Sequence, residues 1–411
     1  MLNTPKNTTR LCRGCQGNNL FLAIDLGELP ISNELLLERQ ENVELFPLAL
    51  YMCADCSLGQ VQDVVRPERL FRDYRYMSSM SSTFLAHAKS FCDSMLDSGL
   101  IGTDDFVVEI ASNDGYLLRN FQNLGIRVLG VEPAQNISLI SESLGIPTLS
   151  EFFSADLAMK IRKENGAPKL IIANNVMAHV PDIRDFMKGL SILCDSETLI
   201  SIENPSIVNV LTENQFDTIY HEHYSYLSCK SVEHLASSFG LTLFDVELIA
   251  AHGGSNRYWI SAKPQEKAQR LRESIRDEDL IGLSDPDKWE NARQLTHDSI
   301  NQLRQWLLQV QQAGQLVLGY GAAAKASTIL NAAQIPRDLI PSICDRSPEK
   351  IGRYMPINNY EIIDFDRFIQ MKPDHILIFP WNIENEITEQ IAARLPDSQV
   401  WVAIPNLRRV R

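Results

Sequence analysis

The sequence predicts an α/β protein of three parts, two doubly wound parallel-sheet units behind a small metal-stapled module. Three observations carry this. Apolar runs of strand length alternate with helical stretches from Phe106 onward, the same alternation restarts at Leu316, and two C-x-x-C pairs stand near the N-terminus. At roughly 100–200 residues per domain, 411 residues suit two to four domains. A composition 45% apolar and 22% charged is that of a globular chain, and 20 Gly with 19 Pro exclude collagen-like or low-complexity character. Fifty-two acidic against 38 basic residues leave a formal charge of −14 with no dense Lys/Arg run, which disfavours a nucleic-acid partner. Residues 1–13 are polar, and no stretch approaches about 18 uninterrupted apolar residues, so neither a signal peptide nor a membrane span is expected. The expectation is a cytoplasmic, monomeric enzyme divided at 1–66, 67–262 and 263–411.

In the first part, Cys12-Arg13-Gly14-Cys15 is answered by Cys53-Ala54-Asp55-Cys56. Each knuckle turns two thiolates toward one point, and two knuckles complete the tetrahedral sulfur shell that zinc prefers. A closed shell leaves no position for substrate, so the zinc is read as structural, stapling a module too small for an unaided core.

In the second part, Phe106–Ile110 reads as a buried strand, 111–115 as a turn and 116–124 as a helix. Strands follow at 127–131, 147–149, 170–173 and 198–202, with helices between, which is the pattern of a parallel sheet covered on both faces. Ligands of such sheets sit beyond the carboxyl ends of the strands. Glu109, the turn Ala111-Ser112-Asn113-Asp114-Gly115, and Asn174 occupy that place. Glu132, before Pro133 and ending the second strand, has the location of an acid that accepts ribose hydroxyls. No full G-x-G-x-x-G is present, so the turn lacks a pyrophosphate cradle. Farther on, Tyr220-His221-Glu222-His223-Tyr224 packs imidazoles, a carboxylate and phenols into the set needed to take a proton from carbon beside a carbonyl. Its His-Glu-His lacks the i, i+4 spacing of a helical zinc site.

Residues 263–313 are charged and helical, with Leu295, Ile300, Leu303, Leu307 and Val310 roughly on one face. The third part then opens with the strand Leu316–Gly319 and Gly319-x-Gly321-x-x-Ala324, a passable Rossmann fingerprint with Asp345 some 26 residues on. Read alone it admits NAD. Lys325 at the helix start favours a phosphate ligand of another kind.

The string Val108–Gly115 resembles the first motif of class I S-adenosylmethionine methyltransferases, Gly130-Val131-Glu132-Pro133 their ribose motif, and Ala173-Asn174-Asn175-Val176 their fourth-strand motif. Ala111 and Asn113 stand where Gly-x-Gly is commoner. With the four Cys before these motifs and Gly319–Lys325 after them, nearly the whole chain is similar to the sugar C-methyltransferases. That resemblance implies a class I S-adenosylmethionine methyltransferase (Rossmann-like) domain, a small N-terminal zinc-binding module and a second C-terminal Rossmann-like domain. It implies S-adenosylmethionine and structural zinc as cofactors, and methylation at C3 of a nucleotide-linked 4-keto-deoxysugar, dTDP or GDP, through an enolate. The family's Tyr-x-Glu-His run maps onto Tyr220, Glu222 and His223, with His223 as base, Glu222 as its partner and Tyr220 near the substrate oxygens. The resemblance further implies that a tyrosine of Asp73–Ser82, Tyr76 or Tyr74, touches the sugar. It places His221, Arg257 of the Gly-rich His252–Arg257 stretch, Gly321 and Lys325 near substrate. The competing readings are an NAD-dependent oxidoreductase and a zinc-ribbon RNA methyltransferase.

Overall fold

The computed structural model describes residues 11–40, 42–62, 65–71, 77–80, 82–249 and 253–411. Tyr74 and Tyr76 lie outside the described residues, as does His252.

The N-terminal module is an antiparallel sheet of β1 (Leu20–Leu29), β2 (Phe46–Cys53) and β3 (Gly59–Gln60), with Leu20 opposite Cys53 and Met52 opposite Gly59. Ala23, Ile24, Leu48, Leu50 and Met52 point inward and are buried.

The central unit supplies β4 (Phe106–Ile110), β5 (Arg127–Val131), β6 (Thr148–Leu149), β7 (Leu170–Asn174), β8 (Leu199–Pro205), β9 (Ser225–Tyr226), β10 (Thr242–Ile249) and β11 (Ser255–Ser261). Seven of these form one sheet in the order β10-β11-β8-β7-β4-β5-β6. Its strands are parallel except β11, which is antiparallel to both neighbours. The chain departs from β4 in one direction to β5 and β6 and later in the other to β7, so the crevice beyond β4 and β7 is the topological switch point where ligands bind. The helices follow the sheet's logic. Ile183–Leu193, capped by Asp182 accepting from the Asp185 amide (3.0 Å), buries Ile183, Phe186, Met187, Leu190 and Leu193 along one stripe. Each such side chain is worth on the order of 1.5–3 kcal/mol as an upper bound.

β9 leaves this sheet and becomes the fourth strand of the N-terminal one, with Gly59 opposite Tyr226 and Gln60 opposite Ser225. A Cβ at residue 59 would lie 2.9 Å from that of Tyr226, which explains glycine where the two backbones meet.

The helix Pro286–Gln312 buries Trp289, Ala292, Thr296, Leu303, Leu307 and Val310. Leu303, Leu307 and Val310 lie on the buried face as expected and Ile300 packs against it, whereas Leu295 is 52% exposed and its place is taken by Thr296 and Ala292. The last unit holds β12 (Val317–Tyr320), β13 (Ser342–Cys344), β14 (Glu361–Ile363), β15 (His375–Ile378), β16 (Gln399–Val402) and β17 (Arg408–Arg409), in the order β14-β13-β12-β15-β16-β17. The first five are parallel, the 3-2-1-4-5 order of a Rossmann sheet, and β17 is antiparallel. One apolar core runs through all three units, joining Leu48 and Met52 to Val210 and Phe216 and on to Val317, Ile329 and Leu377.

Candidate active site

At the carboxyl end of β4 the turn 111–115 takes left-handed backbone at Ala111 (φ 55°), Asn113 (φ 50°) and Gly115 (φ 77°). Ala111 and Asn113 therefore hold the conformation for which glycine is commoner, at a cost of roughly 1–2 kcal/mol each. The turn is bound from both sides. Glu132 accepts from the amides of Asn113 (3.0 Å) and Ala134 (2.9 Å), with Pro133 between them on the rim, and the Ser78 amide donates to Oδ1 of Asn113 (2.9 Å). Around this turn Glu109 Oε2, Asp114 Oδ1, Asn174 Oδ1 and Ser112 Oγ are buried with no partner among the described residues. Three of the four accept once Glu109 is ionised, so the pocket fits a ligand rich in donors, with an ammonium and ribose hydroxyls. Burial, with Asp114 and Glu132 nearby, raises the Glu109 carboxyl well above its ordinary range. Burial pushes Glu132 up to about 7 against its two backbone hydrogen bonds.

The second cluster lies on the loop before β9. The ring of His223 is fixed at both nitrogens: Nδ1 lies 3.1 Å from the Thr218 carbonyl, which can only accept, and Nε2 lies 2.8 Å from the Tyr220 hydroxyl. Nδ1 therefore carries a proton, and in the neutral ring Nε2 is the basic nitrogen. The expected pairing of Glu222 with His223 is not what the structure shows. The Glu222 carboxylate turns to the N-terminal module, where Oε1 accepts from the backbone amide and the side-chain amide of Asn33 (3.1 Å each). On an irregular loop neighbouring side chains point apart, and here they face different units. Glu222 Oε2 is buried without a partner among the described residues, and burial raises the carboxyl's pKa. His221 faces the same module, with Nε2 3.3 Å from the Phe46 carbonyl; burial lowers its pKa.

His179, which the sequence reading missed, completes this cluster. Its Nδ1 donates to the Glu222 carbonyl (2.7 Å), its ring centroid lies 4.7 Å from that of His223, and burial pushes it down to about 4, so it is neutral. Its signal was positional: it follows Asn174 just past the end of β7, at the switch point.

The four cysteine sulfurs lie within 4.8 Å of one another, with Cys12–Cys56 at 3.5 Å and Cys15–Cys53 at 3.6 Å. A tetrahedron with Zn–S of about 2.3 Å has edges of about 3.8 Å, so the donor set fits zinc in number, chemistry and size.

Of the residues expected near substrate, Arg257 and Gly321 are engaged within the protein. Arg257 lies in β11 with its guanidinium nearly buried between Glu203 (2.7 Å) and Glu247 (3.2 Å), with His87 also on Glu203 (2.9 Å). Its charge is spent inside the sheet. Gly321 (φ 90°) is required by packing, because a side chain there would collide with Pro380. The Asp345 carboxylate accepts from the Ala322 amide (2.9 Å) and Lys350 (3.2 Å), closing its own turn where a ribose would bind. Lys325 donates to Asn382 Oδ1 (3.0 Å) and lies over the Trp381 ring (4.1 Å); burial lowers its pKa, opposed by Asp217.

The sheet order and the acids at the ends of β4 and β5 define a class I S-adenosylmethionine-dependent methyltransferase carrying a zinc-binding module and a C-terminal Rossmann-like domain. Comparison with known proteins agrees. Family models match in chain order: "Putative zinc binding domain" over residues 12–71, "Methyltransferase domain" over 84–246, and "C-methyltransferase C-terminal domain" over 250–405. The chain is 30% identical over 382 residues to C-methyltransferase NovU of Streptomyces niveus, covering 92% of this chain and 91% of that one. It belongs to the C-methyltransferase family. Among solved structures it is similar to the PH0226 protein of Pyrococcus horikoshii (TM-score 0.37, 12% identity, 47% of this chain and 97% of that one). It is also similar to magnesium protoporphyrin IX methyltransferase of Synechocystis with bound S-adenosylmethionine (TM-score 0.33, 12% identity, 43% and 78%). Among the described residues no helix is long and apolar enough to cross a membrane.

Proposed function

We propose that the enzyme methylates C3 of a nucleotide-linked 4-keto-deoxysugar, with His223 as the base that makes the carbon nucleophilic. The observation that carries the reading is the His223–Tyr220 pair, an imidazole with one nitrogen tied to a carbonyl and the other 2.8 Å from a phenol. Forming a carbon–carbon bond at saturated carbon requires a carbanion equivalent. The carbon α to a ketone provides one once a base removes its proton and donors hold the enolate oxygen. Nε2 of His223 takes the proton, and the Tyr220 hydroxyl turns from the imidazole to the developing oxyanion. His179, neutral with its Nδ1–H committed to the Glu222 carbonyl, presents Nε2 beside the same site. Glu222 acts through Asn33 by holding the loop against the N-terminal module. S-adenosylmethionine, when bound, supplies the electrophilic methyl group. Glu109, Asp114, Glu132 and Asn174 hold it, while Ala111, Asn113 and Gly115 shape the turn beneath it. The reading gives Lys325 the diphosphate of a dTDP or GDP carrier, and Tyr74 or Tyr76 the sugar.

The test is a screen of dTDP- and GDP-4-keto-6-deoxysugars with S-adenosylmethionine, read by mass spectrometry for one added methyl and by NMR for its position. His223→Asn should bind cofactor normally and transfer methyl at least about a hundredfold more slowly. A screen without product, or a variant with near-normal turnover, would overturn the reading.

A further inference from the structure

The loop bearing His223 is held from the C-terminal unit by two side chains to which the reading above gives no role, although one of them, Trp381, also lies under Lys325. Thr328, on the helix Ala324–Ala332 and 1% exposed, donates its hydroxyl to the Ile219 carbonyl (3.1 Å). Trp381 donates its indole N–H to Oδ2 of Asp217 (2.8 Å), a fully buried residue. Between these anchors lies Thr218, whose carbonyl accepts from Nδ1 of His223 (3.1 Å) and from the Tyr226 hydroxyl (3.3 Å). Residues 216–218 form one 3-10 turn, followed by irregular chain until β9. The Thr218–Ile219 peptide has one local backbone bond, from the Ile219 amide to the Phe216 carbonyl (3.0 Å), and no strand ladder among the described residues, so the flanking anchors share in fixing the direction of the Thr218 carbonyl.

We infer that Thr328 and Trp381 are positioning residues for methyl transfer, with the C-terminal domain setting, through residues 217–219, which nitrogen of His223 carries the proton and where its basic nitrogen points. The inference rests on the reading of His223 as base. It gives the C-terminal domain a share in the reaction rate beyond any hold on substrate. The physical reason is the tautomer rule: the hydrogen bond at one ring nitrogen decides the protonation of the other. A carbonyl that swings away frees the ring to turn, and misplacement of reacting groups by about 1 Å costs on the order of a hundredfold.

The test uses full-length protein with Thr328→Val and Trp381→Phe, which remove one donor each and keep most of the volume, and Thr328→Ser, which restores the hydroxyl. Methyl transfer is measured as kcat and KM. The tautomer of His223 is read from imidazole 15N shifts, assigned by difference with His223→Asn. The expected result is a kcat lower by about ten- to a hundredfold in Val and Phe variants, with S-adenosylmethionine KM within about twofold and recovery in the Ser variant. The His223 signal should move from the Nδ1–H form toward a mixture. Folded variants with unchanged kcat and an unchanged tautomer would overturn the inference. So would a wild-type His223 in the Nε2–H form, a measurement that stands even if both variants fail to fold. Failure of the base reading is separate: it shows as near-normal turnover of His223→Asn, whatever the nitrogen shifts report.

Discussion

Glu132 carries a carboxyl raised to about 7 by burial, which on its proposed role ties cofactor binding to protons. An unfolded glutamate titrates near its ordinary value, so between that value and about 7 the folded protein holds a proton that the unfolded chain has released. Stability from this group is therefore fully present below the ordinary glutamate range and is lost as pH rises through the window up to about 7. On the proposed role of Glu132, a ribose donating two hydroxyls to the carboxylate favours the charged form, and binding should expel the proton. Calorimetry of S-adenosylmethionine binding at pH 6, in two buffers of different ionisation enthalpy, should show release approaching one proton. Glu132→Gln should abolish the release and weaken S-adenosylmethionine and S-adenosylhomocysteine alike, by on the order of 1.5–3 kcal/mol per lost charge-assisted bond. Release unchanged in the variant would assign it to another carboxyl, Glu109 first. These two acids were legible in the sequence because each ends an apolar run, and a strand end in a parallel sheet is a defined place. The partner of His223 was not, because adjacency in sequence does not set direction on a loop. Glu222 faces Asn33 from another unit, and the carbonyl that does orient His223 belongs to Thr218, a backbone group that no residue type announces.

The helix Cys229–Ser238, which follows directly on the His223 loop and β9, shows how an element is fixed from outside itself. Ser228 and Ser231 form a capping box within four residues of chain. The next two amides are satisfied by Glu278 of another helix, whose carboxylate accepts from Cys229 (2.6 Å) and Lys230 (3.1 Å) while 3% exposed. A carboxylate on a helix N-terminus also meets the positive end of the dipole. Glu278→Ala would leave two amides unpaired in a buried place, and we expect a loss of about 1–3 kcal/mol, seen as an earlier first transition in thermal or urea unfolding. Glu278→Gln, which keeps an acceptor, should cost less; equal unfolding of wild type and Ala variant would mean that water replaces the carboxylate. The sheets divide in the same way. β4, β5 and β7 were plain from their apolar runs, whereas two-residue β9 has no period to detect, and its pairing with β3 depends on a fold that only the whole chain specifies.

At the scale of the molecule, the His223 loop is enclosed between units that the sequence could only place in a row. The N-terminal module reaches it through β3 on β9, through Asn33 on Glu222, and through Arg13, whose guanidinium donates to the carbonyls of Tyr224 and of Val61 (3.0 Å for the latter). Arg13 sits inside the first Cys knuckle, so the metal that closes the knuckles also sets the wall of the site. The cofactor pocket is built differently. Its bonds run from Glu132 to Asn113 and Ala134, and from Asn113 to Ser78, all within the central unit. The purified protein should therefore carry close to one zinc per chain, and chelation or Cys53→Ser should separate two functions. S-adenosylmethionine affinity should stay within a few-fold while methyl transfer falls at least about tenfold, because loosening the module releases Glu222 and the ends of the loop, whereas the hydrogen bonds that shape the pocket come from the central unit. Calorimetry and turnover on the same metal-depleted sample decide the matter. Parallel loss of binding and transfer would show that the module supports the whole fold through the shared core, and full turnover without metal would show that β9 and Asn33 hold the loop unaided.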